Sequence, residues 1–318
     1  MKQVRAFEIV LEIETDEIII SIVTAKTFLI AENLYSRPFF PDALAITLSH
    51  SMKQLKSTSA DLRSLFEDSI TVKYVAEPLK SVLASQSAAV VRQWMESLNF
   101  DVLGVEDNGI ICGYIDRQSL ADGQCGDYQR IFHPSELIAA STPLIELLRI
   151  LRYKTKVFVL DRDRVSGIVT RGDLQKAPVR MLLFGLVTLL EMQILRLVRI
   201  YYPNDSWQPF VKSDRVALAK KLWHDRQAKN EAMNLTDYLQ FSDKRELILA
   251  KTEIVDRLGL KSKRSGERFL KSAEALRNKL AHAQDLVNDS SWPELIELAA
   301  EIETLLQRCE EIESDDII

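Results

Sequence analysis

The chain has 318 residues, of which 47% are hydrophobic and 27% charged, and its formal net charge is −5. This length predicts two or three structural units rather than one. The negative charge argues against a protein built as a whole to hold duplex DNA. The three cysteines, Cys112, Cys125 and Cys309, form no CxxC pair, so neither a zinc knuckle nor a disulfide framework is expected.

Two features of the sequence predict a cytoplasmic protein that does not enter a membrane. The first residues run directly into Glu8, Glu12 and Glu14, which does not fit a signal peptide. The longest apolar run, residues 181–190, is too short to span a bilayer.

Residues 1–70 are predicted to be a separate N-terminal segment, and its role is unassigned. They mix short apolar runs with turn-like stretches around Pro38 and Pro41. Residues 43–66 have helical spacing. No pattern in this segment indicates a chemical role.

Residues 71–177 contain the pattern strand, helix, strand, strand twice, which indicates an internal repeat. Asn108-Gly109 is a strong signal for the hairpin turn of the first copy. The two copies align residues 113–120 (GYIDRQSL) with residues 167–174 (GIVTRGDL). The predicted elements are a helix at 87–98 with strands at 102–105 and 110–115, and a helix at 143–151 with strands at 157–160 and 165–169.

In the second copy, Thr170 ends a strand and Asp173 begins a helix. A hydroxyl at this point can donate to a phosphate oxygen, the helix start favours an anion, and Arg171 adds a charged donor. The Asp173 carboxylate can accept from two neighbouring ribose hydroxyls. Threonine and aspartate are also ordinary helix-capping residues, so these residues alone leave both interpretations open.

The repeat and its GIVTRGDL segment resemble a tandem pair of CBS repeats over roughly a third of the chain. The resemblance implies clefts for an adenine nucleotide (AMP, ADP or ATP) acting as a regulatory ligand. It implies that Thr170 and Arg171 face the phosphate and that Asp173 faces the ribose. The backbone around Lys156 and Val157 would contact the base.

The first repeat departs from this pattern at two positions. Asp116 stands where the second repeat has Thr170, and Ser119 stands where it has Asp173. A carboxylate at the phosphate position repels the ligand, and serine cannot offer a two-oxygen acceptor. We therefore expect one working cleft, formed by the second repeat.

After Pro178 the strand signals stop, and helix breakers divide residues 178–318 into about five helices. The fourth predicted helix has a core stripe of Phe269, Ala273, Leu276 and Leu280. At about 100° per residue, a polar row falls on the other side, with Arg277 between the two faces. The row consists of Lys271, Glu274, Asn278, His282 and Asp285. A solvated surface is the simple explanation for such a row.

The segment from Arg277 to His282, placed late in a helical bundle, resembles the signature of HEPN domains. Many of these are metal-independent ribonucleases, and others are inactive binding modules. The resemblance implies that the 2′-OH of RNA attacks its own phosphodiester. His282 would move a proton, Arg277 would stabilise the phosphorane charge, and Asn278 would orient His282. Two copies would meet across a homodimer.

The sequence thus predicts an α+β protein, with a tandem CBS pair followed by an all-α HEPN-like bundle. The predicted function is that of a homodimeric, adenine-nucleotide-regulated endoribonuclease that needs no metal. A toxin-like or defence role follows by family analogy. One alternative is a non-catalytic nucleotide sensor whose bundle dimerises or docks a partner. Another is an RNA-binding protein that does not cleave. RNA is the expected substrate, and neither DNA nor a membrane is an expected partner.

Overall fold

The computed structural model describes residues 10–14, 17–21, 64, 70–229, 234–287 and 291–315. The chain divides into two compact units, residues 1–57 and 58–318. In the first unit, β1 (Val10–Glu14) and β2 (Glu17–Ser21) form an antiparallel hairpin. Apart from Ser64, which is helical, the helix predicted at 43–66 lies outside the described residues.

The first repeat follows the short strand β3 (Glu77–Pro78). Its β4 is parallel to β5, as a helical crossover requires, and β5 is antiparallel to β6. The predicted hairpin turn is confirmed, because Asn108 and Gly109 have φ values of 48° and 77°, as a type I′ turn requires. The elements of this repeat are β4 (Ser81–Leu83), α1 (Ala88–Leu98), β5 (Val102–Asp107) and β6 (Ile110–Asp116).

The second repeat has the same order of elements, and its sheet is ordered β3-β9-β8-β7. Both hairpins change register at matching places, between Val105 and Glu106 in the first repeat and between Val159 and Leu160 in the second. This shared irregularity confirms the predicted internal repeat. The elements are β7 (Leu137–Ala139), α2 (Leu144–Leu151), β8 (Lys156–Asp161) and β9 (Arg164–Thr170).

Helices follow the second repeat. The third of the five predicted helices is divided in two because Lys251 has an extended backbone, with φ −108° and ψ 115°. The described helices are α3 (Ala177–Tyr201), α4 (Ser213–Gln227), α5 (Phe241–Ala250), α6 (Thr252–Arg257), α7 (Lys263–Ala281) and α8 (Trp292–Asp315).

One hydrophobic core joins the second repeat to the helical bundle. It contains Leu147 and Val169 from the repeat together with Leu190 and Ile302 from α3 and α8. The first repeat has a smaller core of its own, built around residues such as Met95. The large core therefore runs without a break across residue 178, where the sequence predicted a domain boundary.

Helix α3 lies at the centre of the bundle and packs against α5, α7 and α8. By length and composition it could cross a bilayer, and among the described residues it is the one helix that could. It extends beyond both ends of the apolar run at 181–190. The length of that run was therefore a poor guide to the length of the helix. A core helix passes the same test, and α3 buries apolar residues along its whole length, from Val179 to Val198.

Candidate nucleotide site and the Arg277 segment

The predicted phosphate residue Thr170 ends β9 and begins the 3-10 helix Arg171–Gln175, here named the sensor turn. Asp173 Oδ2 accepts hydrogen bonds from the backbone N–H of Thr170 at 2.7 Å and from its hydroxyl at 2.9 Å. These bonds make a capping box. The structure thus brings Thr170 and Asp173 together, and their present contact is the capping one.

The other carboxylate oxygen of Asp173 is held by Lys176. The Lys176 ammonium lies 2.8 Å from Asp173 Oδ1. It also donates to the carbonyl of Val75 at 2.6 Å and pairs with Glu77. Burial opposes the charge of Lys176, but the hydrogen bonds to Asp173 and Glu77 outweigh it and raise its pKa. The Asp173 side chain is 12% exposed, so its carboxylate is fixed in place from both sides.

Arg171 was predicted to face the phosphate, and the structure places its guanidinium at the end of α2. Nε donates to the carbonyl of Leu151 at 3.0 Å, and Nη2 donates to the carbonyl of Arg152 at 3.2 Å. The last carbonyls of a helix have no intrahelical partner and favour a cation. Arg171 therefore ties the sensor turn to helix α2.

Lys156 and Val157 begin β8, as predicted for the residues near the base. Val157 is buried, and its backbone pairs with Val169. The Lys156 side chain reaches out of its own repeat and forms an ion pair with Asp116 of the first.

At the end of β6 in the first repeat, Asp116 has partners that the sequence analysis did not include. Asp116 carries two cations, since Oδ1 pairs with Lys156 and Oδ2 accepts from Arg130 Nη1 at 2.8 Å. Ser119 donates its hydroxyl to the backbone carbonyl of Asp116 at 2.7 Å. The charge of Asp116 is thus neutralised inside the protein.

Three side chains of this cluster were missed by sequence reasoning, namely Tyr114, Arg130 and Glu136. The hydroxyl of Tyr114 donates to Glu136 at 3.0 Å. The cations of Lys156 and Arg130 lie over the Tyr114 ring, 5.0 and 5.5 Å from its centroid. Burial, and then the hydrogen bond to Glu136, raise the pKa of Tyr114 to about 12. Arg130 and Glu136 lie in the connection between the repeats, so repeat spacing gave no signal for them.

The second predicted site lies at the end of α7. Arg277 Nη1 donates to Asn278 Oδ1 at 3.2 Å, and Arg277 Nε lies 3.8 Å from Glu191 Oε2 of α3. That Nε is buried without a hydrogen-bond partner, although the side chain is 33% exposed. The unpartnered donor of Arg277 therefore lies below the surface, near Glu191.

His282 follows the last residue of α7 and is exposed. The contact between His282 and Asn278 that the structure shows is a backbone one, from the His282 N–H to the Asn278 carbonyl at 3.1 Å. Ala283 then has φ 52°, the left-handed conformation that ends many helices. The predicted orientation of His282 by the Asn278 side chain remains a prediction.

Behind this segment, buried ion pairs connect α3, α5 and α7. Lys244, 7% exposed, pairs with Glu191 at 2.8 Å, and Arg245 pairs with Glu274. The prediction that Glu274 belongs to the solvated row was therefore wrong, because α5 packs against that part of α7. The other members of the row, Lys271, Asn278, His282 and Asp285, are exposed.

Within the described parts of the chain, no group of three His, Cys, Asp or Glu side chains is placed to hold a metal ion.

Comparison with known families matches residues 132–180 to the CBS domain. The match covers the second repeat, and the first repeat has the same order of elements. The comparison with curated proteins found no match.

Solved structures resemble about a third of the chain. An uncharacterized conserved protein from Pyrococcus horikoshii is 20% identical, over 34% of this chain and 90% of that one, with a TM-score of 0.30. CBSX2 in complex with AMP is 22% identical, over 35% and 98%, with a TM-score of 0.31. The CBS domain protein TA0289 from Thermoplasma acidophilum is 20% identical, over 36% and 75%, with a TM-score of 0.29.

Proposed function

We propose that this protein is an adenine-nucleotide sensor, in which the second repeat binds the ligand and the helical bundle responds. The family match supports the sensor, because it covers the sensor turn. The observation that carries the proposal is that the same turn bonds the end of α2 through Arg171, and bonds Asp285, four residues beyond the end of α7, through Gln175. A change at Thr170 and Asp173 therefore has a physical route into the bundle.

In this proposal the ligand competes with the capping box. The Thr170 hydroxyl now donates to Asp173, and it would donate to phosphate instead, while Asp173 would accept from the ribose. Arg171 would share its guanidinium between phosphate and the α2 carbonyls. The ligand therefore binds one arrangement of the turn better than the other, which is the condition for a ligand to shift an equilibrium.

One connection leads from the sensor turn to the end of α7. Gln175 donates to Asp285 Oδ1 at 2.5 Å, and Arg180 contacts both Gln175 and the Lys279 carbonyl, at 3.4 and 3.5 Å. The backbone N–H of Val287, and then Gln175, lower the pKa of Asp285, so this acceptor is ionised at neutral pH. The connection ends three residues beyond His282.

A second connection leads through α2 to α8. Arg149 lies 3.3 Å from Glu303, and Arg152 pairs with Glu297. A cavity of about 260 Å³ lies between the two helices, lined by residues that include Ile145. Arg171 bonds the end of α2, so movement of the sensor turn would move α2. The cavity between α2 and α8 gives α2 space to move.

Isothermal titration calorimetry with AMP, ADP and ATP tests the sensor. Thr170→Val and Asp173→Asn remove a hydroxyl and a charge with little change of shape, and each is expected to weaken binding by about tenfold or more. Thr304→Val and Asp163→Asn are matched controls at exposed positions. Equal affinity in all five proteins would remove Thr170 and Asp173 from the site, and absence of binding by the wild type would overturn the sensor.

We propose as a second candidate that the bundle is a homodimeric, metal-independent endoribonuclease with RNA as substrate. The Arg277 side chain, which is 33% exposed, lies beside exposed Asn278 and His282, and a guanidinium there favours contact with an anion such as phosphate. His282 would transfer the proton and Arg277 would stabilise the phosphorane. A toxin-like role would follow from such an activity.

Total RNA incubated with purified protein, with and without AMP and a chelator, tests this candidate. His282→Ala and Arg277→Met are expected to abolish cleavage. His224 is also exposed and lies within α4, and His224→Ala is expected to keep cleavage. Cleavage that survives in His282→Ala excludes the assignment. RNA that is bound but uncut identifies a binding module, and RNA that is neither bound nor cut leaves a non-catalytic sensor whose bundle dimerises or docks a partner.

A further inference from the structure

Lys156 and Thr170 lie directly opposite each other in the β8–β9 hairpin. Lys156 is the first residue of β8, and Thr170 is the last residue of β9. Directly opposed residues of an antiparallel pair share one face of the sheet, with Cβ atoms about 4.5–5.5 Å apart. The Lys156 side chain therefore starts beside the Thr170 hydroxyl, which is proposed to bind the phosphate.

That ammonium is now bound to a carboxylate of the other repeat. Lys156 pairs with Asp116 Oδ1, and each side chain is 23% exposed. Lysine ammonium groups are common phosphate ligands. Asp116 thus holds a cation of the kind that a phosphate beside Thr170 would bind.

We propose that Asp116 is an internal competitor for the ligand phosphate and that Lys156 moves from Asp116 to the phosphate when nucleotide binds. This inference rests on the proposed function of the second repeat. It gives Asp116, a residue of the first repeat, a defined role, because Asp116 then sets how much affinity the second cleft gains from Lys156.

The geometry allows the exchange because Asp116 has a second cation. Arg130 Nη1 donates to Asp116 Oδ2 at 2.8 Å, on the oxygen that Lys156 does not use. When Lys156 leaves, Arg130 still neutralises the carboxylate, so no uncompensated charge is left partly buried. The four-carbon stem of lysine gives the ammonium the reach to change partners.

The first repeat has no equivalent of this lysine. Val102 stands opposite Asp116 in the β5–β6 hairpin, as Lys156 stands opposite Thr170 in the β8–β9 hairpin. The carboxylate and the lysine it holds are therefore supplied by different repeats. Exchange would couple the two repeats at the point where their last strands end.

A double-mutant cycle measured by calorimetry with AMP and with ATP tests the exchange. Lys156→Met is expected to weaken binding roughly tenfold, since it removes a charge-assisted hydrogen bond to phosphate. Asp116→Asn is expected to tighten binding roughly fivefold, because it frees the lysine. In the double variant the gain from Asp116→Asn is expected to vanish, so the affinity equals that of Lys156→Met.

The controls separate exchange from a general change of charge or of folding. Asp163→Asn makes the same charge change at the other end of the β8–β9 hairpin, where the side chain is 79% exposed, and should leave affinity unchanged. Asp116→Ala repeats the removal of the carboxylate with another side chain, and circular dichroism melts report folding.

Three results would overturn the inference. A gain from Asp116→Asn that persists in the Lys156→Met background would show a field effect without exchange. Unchanged or weaker binding by both Asp116 variants would show that the carboxylate does not compete. Absence of nucleotide binding by the wild type would remove the proposed function and this inference together, whereas the first two results leave the proposed function standing.

Discussion

The two repeats have the same order of strands and helix, yet their last strands end in different chemistry. In the second repeat, Thr170 and Asp173 cap the sensor turn, and Arg171 bonds the end of α2. In the first, Asp116 is neutralised by cations from outside its own hairpin. The end of the second repeat's last strand is thus held by hydrogen bonds within that repeat, whereas the end of the first repeat's last strand is bonded to the second repeat.

The repeats also differ in the core to which they belong. The second repeat shares its main core with the helical bundle, whereas the main core of the first is its own. A small cluster around Tyr114 and Phe158 joins the two repeats. A repeat that shares its core transmits a change in packing, and a repeat with a separate core unfolds or moves with less consequence for its neighbours. We therefore expect the second repeat to be both the better ligand site and the better transmitter.

The difference in cores predicts the largest effect. Met95 and Leu151 each occupy the eighth position of their helix and are fully buried. Leu151→Ala is expected to lower the free energy of unfolding by about 3–4 kcal/mol, and Met95→Ala by about 2–3 kcal/mol because a small core collapses more easily around a cavity. Denaturant unfolding gives both values.

Hydrogen exchange locates the damage in each variant. Leu151→Ala should lose amide protection in α3 and α8 as well as in the second repeat, because they share its core. Met95→Ala should lose protection in β5 and β6 while the bundle keeps it. Equal loss of bundle protection in the two variants would contradict the division into a shared and a separate core.

A smaller effect is predicted at the arginines that follow the last strands. Arg171→Met removes two bonds to helix-end carbonyls and should cost about 1–2 kcal/mol. Arg117→Met removes a pair with Asp101, which is 78% exposed, and such a surface pair is worth at most about 0.5–1 kcal/mol. Thermal unfolding of the two variants compares them, and a larger loss in Arg117→Met would reverse the expected order.

The repeat and its hairpins could be predicted from sequence because local signals agree with the fold. Asn108-Gly109 selects its turn without help from the rest of the chain, and the helices at Ala88 and Leu144 begin within a residue of the predicted positions. The single break at Lys251 was missed, since its extended backbone has no glycine or proline to mark it.

The site was predicted less completely than the fold. The sequence identified Thr170, Arg171 and Asp173, but it could not show that Arg171 bonds α2, because that contact depends on tertiary packing. It could not show that Lys156 reaches Asp116, since the two residues are far apart in the chain and belong to different repeats. Contacts between side chains of different repeats follow no fixed spacing in the sequence, so a sequence pattern does not predict them.

The smallest predicted effect concerns Tyr114, whose counterpart in the second repeat is Ile168. Burial, with the hydrogen bond to Glu136, raises the pKa of Tyr114 to about 12, above its usual value near 10. The native state therefore keeps a proton that the unfolded chain loses, so this stabilisation is complete below about pH 10 and is lost as the pH rises towards 12.

Tyr114→Phe should cost about 1 kcal/mol at neutral pH, for one lost hydrogen bond, and should remove this part of the alkaline loss. The measurement is the difference in free energy of unfolding between wild type and variant from pH 8 to 11.5, which should shrink or change sign as the pH rises. Tyr128→Phe, which removes a phenol that donates to the Asp122 carbonyl, is the matched control. A constant difference for Tyr114→Phe across this range would mean that the phenol of the first repeat titrates alike in the folded and unfolded chain, and that the cluster around Asp116 is open to solvent.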